Sequence, residues 1–345
     1  ARAEGAGRVH LVNSGTPRHT GGGVTYGIDI GGTKVLGVAL GPDNLAVGEA
    51  RVPTPTGTRE IVGSHVAEAV AKVTGELDHS LGLDADPAPI GVGAPGMVDR
   101  RGRLCFAPNL PQAHGVDWTA LIGDRLPGRA VVIENDANLA VLAEHRLGAA
   151  RGFHDVVMVT LGTGIGGGIV VDDRVQVGAA GFAGEIGHMV VDPNGPPCPC
   201  GRSGCWERFA SGAGLGVRAR EAALAGRLGE VVRVAGGDPE SVRGEDVSAA
   251  AAAGDVAARR VIEEVGWWIG FGLANLTCVV DPECFVLGGG VVGAGSLLID
   301  AAREAFEDQV EGRDRRPLAV VVPAAFGERA GAIGAALAAR QGGLW

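Results

Sequence analysis

Apolar and polar residues follow one another along the chain in a pattern that predicts strands and helices in turn. Residues 24–30, VTYGIDI, form an apolar run, and the following GGTKVLGVAL turns through two glycines into a second one. A glycine turn between two such runs predicts a β-hairpin, and AVGEARVPT predicts a third strand. REIVGSHVAEAVAKVTGELDHSL then has the spacing of a helix. Its apolar positions are Ile61, Val62, Val66, Ala69, Val70, Val73 and Leu77.

The hairpin pattern returns in the second half of the chain. Before it, PIGVGAPGMVD and VVIEN predict buried strands, and DANLAVLAEHRLG predicts a helix that Asp136 would cap. DVVMVTLGTGIGGGIVVDD then repeats strand, glycine turn and strand. Helices over about residues 211–226 and 246–280, strands in CFVLGGG and LAVVVP, and a last helix in AGAIGAALAA complete the pattern.

Two α/β halves that each open with such a hairpin predict two domains, as a length of 345 residues also favours. We expect residues 1–23 to be a flexible leader and residues 24–134 to form a small N-terminal α/β domain, rejoined by the C-terminal helix over 329–345. Residues 135–328 would form a larger α/β domain with a cysteine loop and a helical dimerisation region. Two such halves facing each other would form a cleft that grips a ligand with several phosphates.

Charge and cysteine content narrow the classes of partner. A net charge of -10 argues against nucleic acid as a partner, although backbone N–H groups can still bind a small anion. The sequence has no run of about 20 uncharged apolar residues, so we expect no membrane partner. Cys105, Cys278 and Cys284 have apolar neighbours and are interpreted as small core residues. Six cysteines in so long a chain favour a reducing compartment, which predicts a cytoplasmic protein.

The other three cysteines lie in the stretch GHMVVDPNGPPCPCGRSGCWE. His188, Cys198, Cys200 and Cys205 would make a closed tetrahedral Cys₃His set, which predicts a structural zinc ion, with unligated loop thiols as the alternative. A redox pair is disfavoured because no C-x-x-C spacing occurs and three thiols leave one unpaired. Glu185 and Glu207 flank the loop, and with the second ring nitrogen of His188 they would bind a substrate. The alternative is that both glutamates are solvated.

Three glycine segments are candidates for binding a nucleotide. DIGGTK offers backbone N–H groups, a threonine hydroxyl, and in Asp29 an oxygen suited to Mg²⁺. LGTGIGGG would hold a distal phosphate, and VLGGGVVGAG would lie beside the nucleotide's sugar and base. Plain hairpins remain the alternative in a chain with 60 glycines. The candidate cofactor-binding residues are Asp29, Gly31, Gly32, Thr33, Lys34, Gly162, Thr163, Gly164, Gly288, Gly289 and Gly290.

The segment ENDAN supplies a candidate catalytic carboxylate. Asp136 stands where a strand gives way to a helix, so it is either a helix cap or a base that accepts the proton of an attacking hydroxyl. Asn135 and Asn109 lie on strand-end loops, where an amide would bind sugar hydroxyls. The residues alone leave both interpretations open.

Taken together, DIGGTK, NDAN, LGTGIGGG, GEIGH, CPCGRSGCWE and VLGGG resemble the ROK family of sugar kinases and repressors in type and order, over about residues 24–339. The likeness is strongest to the family's bacterial glucokinases; Trp206 replaces their usual aliphatic residue. It implies an actin-like ATPase (ribonuclease H-like) fold, two α/β domains around a central cleft, and phosphorylation of the glucose 6-hydroxyl by ATP with Mg²⁺. It implies a homodimer or homotetramer, for which the helix around Trp267 and Trp268 is a candidate interface, with burial in the core as the alternative.

The resemblance also assigns roles to single residues. Asp136 would be the general base, His188 and the three loop cysteines would hold zinc, and the glycine segments would bind ATP. The implied sugar contacts are Asn109, Asn135, Asp136, Glu185, His188 and Glu207. Alternatives are a kinase for N-acetylmannosamine, mannose, fructose or allose, ADP or polyphosphate as donor, a sugar-sensing repressor, and a sugar-binding protein without turnover. The repressor is disfavoured because residues 1–23 are too short and glycine-rich for a helix-turn-helix.

Overall fold

The computed structural model describes residues 23–55, 59–83, 87–107 and 115–344. In these ranges the strands are β1 Thr25–Ile30, β2 Lys34–Leu40, β3 Ala46–Pro53, β4 Ile90–Ala94, β5 Met97–Val98, β6 Arg103–Phe106, β7 Val116–Asp117, β8 Val131–Asn135, β9 Val156–Leu161, β10 Ile165–Val171, β11 Arg174–Val175, β12 Cys284–Gly288 and β13 Val320–Pro323. The helices are α1 Arg59–Leu81, α2 Trp118–Arg125, α3 Asp136–Leu147, α4 Glu207–Ala210, α5 Gly212–Leu224, α6 Gly229–Val234, α7 Gly244–Ala252, α8 Val256–Val280, α9 Ser296–Gln309 and α10 Ala330–Gln341.

The chain divides into two compact units. Unit 1 holds the described residues up to Gly148 together with 175–183 and those from Glu328 onward, and unit 2 holds 149–174 and 184–327. The boundary expected between residues 134 and 135 would have left α3 in the second unit. The structure instead assigns α3 to unit 1, where it packs against α10.

Unit 1 is built on a five-stranded sheet in the order β3-β2-β1-β4-β8. β1 and β2 are antiparallel, whereas β4 pairs parallel to both β1 and β8. Helix α10 lies against β1 and β4, where Gly27 and Gly91 leave no room for a Cβ beside the carbonyl oxygens of Ala332 and Ala335. These glycines let the helix backbone approach the sheet directly, so almost every residue of α10 is buried.

Unit 2 repeats this arrangement. Its sheet has the order β11-β10-β9-β12-β13, with β9 and β10 antiparallel and β12 parallel to both β9 and β13. A hairpin followed by parallel strands therefore occurs in both units. The predicted α/β class and the repeated strand–glycine turn–strand pattern are confirmed.

Three local features differ from the sequence-based expectations. The helical stretch expected over 246–280 is two helices, because Gly254 adopts φ +100° and Asp255 caps α8 through a hydrogen bond from Ala258 N. Cys105 and Cys278 are exposed rather than in the core, and only Cys284 of that group is buried. Cys105 lies on the outward side of the short strand β6, and Cys278 on the open face of the last turn of α8.

The prediction did not resolve β5, β6, β7, α2 and α6 as separate elements. They are too short for a reliable periodicity. None of the helices in the described ranges is long and apolar enough to cross a bilayer.

Candidate active site

The first group of site residues lies at one edge of the unit 1 sheet. Asp29 is near the carboxyl end of β1, and Asp136 follows the carboxyl end of β8, while β4 lies between these strands. A Cβ on Gly93 of β4 would lie 3.3 Å from Asp29 Oδ1 and 3.6 Å from Asp136 Cα. The parallel strands therefore bring the two acids, far apart in sequence, to neighbouring positions where α/β sheets commonly bind ligands.

Both of these carboxyl groups are half-buried and have raised pKa values. Burial raises the pKa of Asp136 to about 6, and the N–H of Ala137 opposes the shift in part. Burial, and then the charge of Asp136, raise the pKa of Asp29 to about 7, although Lys34 opposes this. Burial and the charge of Asp136 thus both disfavour ionisation of Asp29, so the two acids titrate as a neighbouring pair.

Asn135, and not Asp136, is the N-cap of α3. Its Oδ1 accepts hydrogen bonds from Ala137 N at 2.9 Å and Asn138 N at 3.0 Å, and its Nδ2 donates to Gly96 O at 2.9 Å. The interpretation of Asp136 as a cap is wrong in this respect, because the helix begins one residue earlier than a cap at 136 requires. The cap leaves one N–H of the Asn135 amide for a ligand.

The glycine turn of unit 1, Gly31–Thr33, joins β1 to β2. Gly31 N donates to Lys34 O at 2.9 Å, while Thr54 donates to Gly31 O through its hydroxyl at 2.6 Å and to Thr33 O through its N–H at 3.0 Å. The Lys34 ammonium forms an ion pair with Glu328, and this hydrogen bond lowers the Glu328 pKa. The turn is thus held on its carbonyl side, and Gly32 and Thr33 are exposed.

The cysteine loop lies in unit 2. The ligand atoms of His188, Cys198, Cys200 and Cys205 all lie within 4.8 Å of one another. Cys200 Sγ is 3.6 Å from Cys205 Sγ, and Cys198 Sγ is 3.7 Å from His188 Nδ1. Zinc–sulfur and zinc–nitrogen bonds of about 2.3 and 2.0 Å place tetrahedral ligands about 3.5–3.8 Å apart. The donor set and its spacing therefore fit a zinc ion.

The two carboxylates that flank this loop approach His188 from different sides. Glu207 Oε1 is 3.7 Å from His188 Nδ1 and accepts a hydrogen bond from Cys198 Sγ at 3.0 Å. Glu185 Oε2 is 4.0 Å from Nε2, which is beyond direct hydrogen-bond distance. Nδ1 thus faces the sulfurs, and Nε2 is left on the side of Glu185, where a hydroxyl oxygen would find both an N–H donor and a carboxylate acceptor.

The second glycine turn, Gly162–Gly164, joins β9 to β10 in unit 2. It is closed by a hydrogen bond from Gly162 N to Gly164 O at 3.0 Å. The third segment, Gly288–Gly290, begins at the last residue of the neighbouring strand β12. A Cβ on Gly289 would lie 2.5 Å from Leu161 O, so the two glycine segments lie side by side at the carboxyl ends of β9 and β12.

Comparisons with known proteins agree with this arrangement. The ROK family model matches residues 25–342. The chain belongs to the ROK family. This membership confirms the resemblance, and the fold is that of the actin-like ATPases.

Three ROK relatives illustrate the range of the likeness. A glucokinase from Streptomyces coelicolor is 36% identical over 328 residues, covering 92% of this chain and 98% of its own length. An N-acetylmannosamine kinase from Salmonella typhi is 30% identical over 320 residues, with coverages of 92% and 98%. The crystal structure of a ROK glucokinase from Streptomyces griseus, in complex with glucose and AMPPNP, has a TM-score of 0.81 and 37% identity, covering 92% of this chain and 100% of that one.

Each unit of this ROK protein gathers a different part of the predicted site. Unit 1 holds Asp29, the first glycine turn, Asn135 and Asp136; unit 2 holds the cysteine loop, its flanking glutamates and the other two glycine segments. Asn109 lies outside the described residues. Sequence reasoning missed Thr54 and Glu328, which hold the first turn, because such long-range contacts leave no periodic signal.

Proposed function

We propose that this protein transfers the γ-phosphoryl group of ATP to the 6-hydroxyl of glucose. The observation that carries the proposal is Asp136, a half-buried carboxylate beside Asp29 at the carboxyl end of a parallel strand, with a pKa of about 6. A base with a pKa just below neutral is ionised at pH 7 yet still basic enough to accept a proton as the hydroxyl attacks. The glucokinase relatives support the substrate and the donor.

The transfer follows from the roles of these residues. Asp136 accepts the proton of the 6-hydroxyl as its oxygen bonds to the γ-phosphorus, and the bond to the β,γ-bridging oxygen breaks, so ADP leaves with that electron pair. Such in-line transfer depends mainly on positioning and charge stabilisation. Mg²⁺ enters with ATP as part of the substrate and offsets its negative charge, while Asp29 offers an oxygen to the ion or its water shell.

The remaining site residues are assigned to the sugar and to the nucleotide. Glu185, Glu207 and the Nε2 side of His188 bind sugar hydroxyls, as do Asn109 and the remaining N–H of Asn135. The N–H groups of Gly31–Thr33 and Gly162–Gly164 bind phosphates, with Lys34 exchanging its ion pair to Glu328 for a phosphate oxygen. Gly288–Gly290 lie beside adenosine, where the lack of side chains gives it room.

The cysteine loop is assigned a structural zinc ion. His188 Nδ1 and the sulfurs of Cys198, Cys200 and Cys205 would hold it, and all four positions of a tetrahedron would be filled. Burial raises the pKa of the Cys198 and Cys205 thiols, and a bound cation would lower it again. The ion would fix the His188 ring, so that its Nε2 proton is directed at the sugar.

A second substrate is favoured by one observation. The N-acetylmannosamine kinase relative is 30% identical over 320 residues, which cover 92% of this chain. Selectivity among hexoses depends on individual hydroxyl contacts. Mannose and fructose, and ADP or polyphosphate as donor, are therefore part of the same test.

The experiment is a coupled assay of the purified protein over a panel of hexoses with ATP, ADP and polyphosphate. Glucose with ATP should give the highest kcat/KM, and mass spectrometry should identify glucose 6-phosphate. A higher kcat/KM for N-acetylmannosamine would replace glucose as the substrate. Sugar binding without turnover for any donor would contradict the proposed reaction.

We also propose that the chain forms a homodimer or homotetramer through α8. Trp267 is 40% exposed on this helix and stacks on Phe271 with ring centroids 5.4 Å apart. Large exposed aromatic side chains are common at the centre of interfaces. Light scattering would give the mass of the assembly, and Trp267→Ala should shift it toward the monomer.

A further inference from the structure

The cysteine loop begins and ends against the hairpin that carries the second glycine turn. At its start, residues 184–187 pack on β10: a Cβ on Gly167 would lie 2.6 Å from Gly184 O, and Gly187 lies against Ile165 O with no room for a Cβ. At its end, residues 207–213 reach the turn itself. We call these two segments, 184–187 and 207–213, the clamp.

The second arm of the clamp fixes the peptides of the turn. Gly212 N donates to Gly162 O at 2.8 Å, and Ala213 N donates to Thr163 O at 3.3 Å. The C=O and N–H of a trans peptide point in opposite directions. Since the two carbonyls point at the start of α5, the N–H groups of Thr163 and Gly164 in the same peptides are directed away from it.

Glu207 joins the turn to the cysteines. A Cβ on Gly164 would lie 2.5 Å from Glu207 Oε2, and the other oxygen of this carboxylate accepts from Cys198 Sγ at 3.0 Å. The adjoining Trp206 is fully buried and donates from Nε1 to Trp268 O at 2.7 Å, which ties this arm to α8. The same carboxylate therefore lies against both the ligand cluster and the glycine turn, and in a metal-bound loop this packing would join them, since a bound thiolate donates no hydrogen bond.

We infer that the clamp orients the Thr163 and Gly164 N–H groups toward the nucleotide phosphates, so that the cysteine loop controls nucleotide affinity as well as sugar affinity. His188 and Cys205 lie next to the two arms in sequence, and a metal that binds both of them would hold the arms together. The inference rests on the proposed function, since it takes the ligand of the turn to be ATP.

Gly212→Ala tests the inference without touching a metal ligand. The new Cβ would lie 2.8 Å from Gly162 O, closer than real Cβ atoms approach, so the turn must shift. Calorimetry with AMPPNP and Mg²⁺, without sugar, should give about tenfold weaker binding, as expected for one impaired hydrogen bond to a charged group. Glucose affinity and metal content should stay at the wild-type values.

Gly216→Ala is the matched control. It lies in the same helix, and its Cβ would come no closer than 3.5 Å, to Arg220 Nη1. It should bind AMPPNP as the wild type does. If both variants lost the same amount of AMPPNP affinity, the inference would be overturned. The loss would then reflect a change in the helix as a whole and not in its contact with the turn.

Metal removal by a chelator tests the other end of the clamp. Protein that keeps its circular dichroism spectrum should lose affinity for AMPPNP in the absence of sugar; if it unfolds, the Gly212→Ala result decides alone. If the wild type binds AMPPNP and neither Gly212→Ala nor metal removal weakens that binding, the inference is overturned but the proposed function is not. A wild-type protein that binds no AMPPNP would overturn the proposed function, and the inference with it.

Discussion

The two glycine turns occupy equivalent places in the two units but are held in different ways. Gly31–Thr33 and Gly162–Gly164 each follow the first strand of a hairpin whose neighbour on the other side is parallel. The first turn is held by Thr54 and by the ion pair of Lys34 with Glu328. The second is held by the N–H groups at the start of α5, and the Glu207 carboxylate lies beside Gly164.

The difference shows that the repeated hairpin does not by itself set the chemistry. At the unit 1 edge the neighbouring strands bring two carboxyl groups together, and burial raises the pKa of both. At the unit 2 edge the neighbours are a cysteine loop and the start of a helix, which supply hydrogen-bond donors and four side chains that could bind a metal ion. Under the proposed function, proton transfer falls to one unit and ligand orientation mainly to the other.

The largest expected effect comes from unit 1. Asp136→Asn keeps an oxygen for the hydrogen bond from Ala137 N but removes the base, so kcat should fall by about 10²–10⁴-fold. Glucose affinity, measured by calorimetry, should stay near the wild-type value. Asp124→Asn, an exposed aspartate in the same unit, is the control and should leave kcat unchanged. Near-normal turnover of Asp136→Asn would remove Asp136 from the role of base.

The corresponding change in unit 2 should act mainly on binding. Cys200→Ser removes one of four ligands and should weaken metal binding by at least about tenfold, with a lower Tm and a raised KM for glucose. Metal content and calorimetry would measure both effects. Cys278→Ser, at an exposed cysteine outside the loop, is the control. Normal glucose affinity in metal-free Cys200→Ser would separate the loop from sugar binding.

The pH dependence should also distinguish the two edges. Because burial raises the pKa of Asp136 to about 6, the group is protonated below that pH and cannot accept a proton. The kcat/KM for glucose should therefore fall on the acid side with an apparent pKa of about 6, which reports on the free enzyme. Glu207→Gln changes a residue of unit 2 only, so the apparent pKa of this acid-side fall in kcat/KM should stay unchanged. If Glu207→Gln shifted this apparent pKa, its assignment to Asp136 would be contradicted.

The smallest expected effects compare the helix caps at the two edges. Asn135 caps α3, and the buried Ser211 caps α5 by accepting from Gly214 N at 3.2 Å. Each change to alanine should cost about 1 kcal/mol of unfolding free energy. Asn135→Ala should cost slightly more, because it also loses the hydrogen bond to Gly96.

Urea denaturation would give the total cost of each cap change, and amide hydrogen exchange would assign it to one unit. Asn135→Ser keeps an oxygen cap and should recover most of the Asn135→Ala loss. If the alanine and serine variants were equally unstable, the cap would not be the source of the effect.

The sequence was a good guide wherever neighbouring residues decide the structure. Two apolar runs around glycines predict each hairpin, and ligand type with spacing predicted the cluster of His188 with the three loop cysteines. The carboxyl ends of strands were recognised from the apolar runs before them, which located Asp29 and Asp136 correctly at the ends of β1 and β8.

Contacts between segments that are distant in the sequence could not be predicted from it. Gly212 and Gly162 lie fifty positions apart and are joined by a backbone hydrogen bond, so the type of neither residue predicts the contact. The cap of α3 was misplaced by one residue because Asn135 and Asp136 are both good caps, and only the backbone conformation separates them. Cys105 and Cys278 have apolar neighbours in sequence, but the direction of each side chain is set by the packing of its element.

Helix α10 has a consequence for the order of biosynthesis. The helix lies against β1 and β4 of unit 1, but residues 330–341 are translated after all of unit 2. Domains usually fold as they emerge, the N-terminal one first. In this chain, one face of the unit 1 sheet stays uncovered until α10 has been translated, which happens only after unit 2 is complete. We therefore expect a released chain that ends before residue 330 to protect unit 2 from protease and to leave unit 1 open to it.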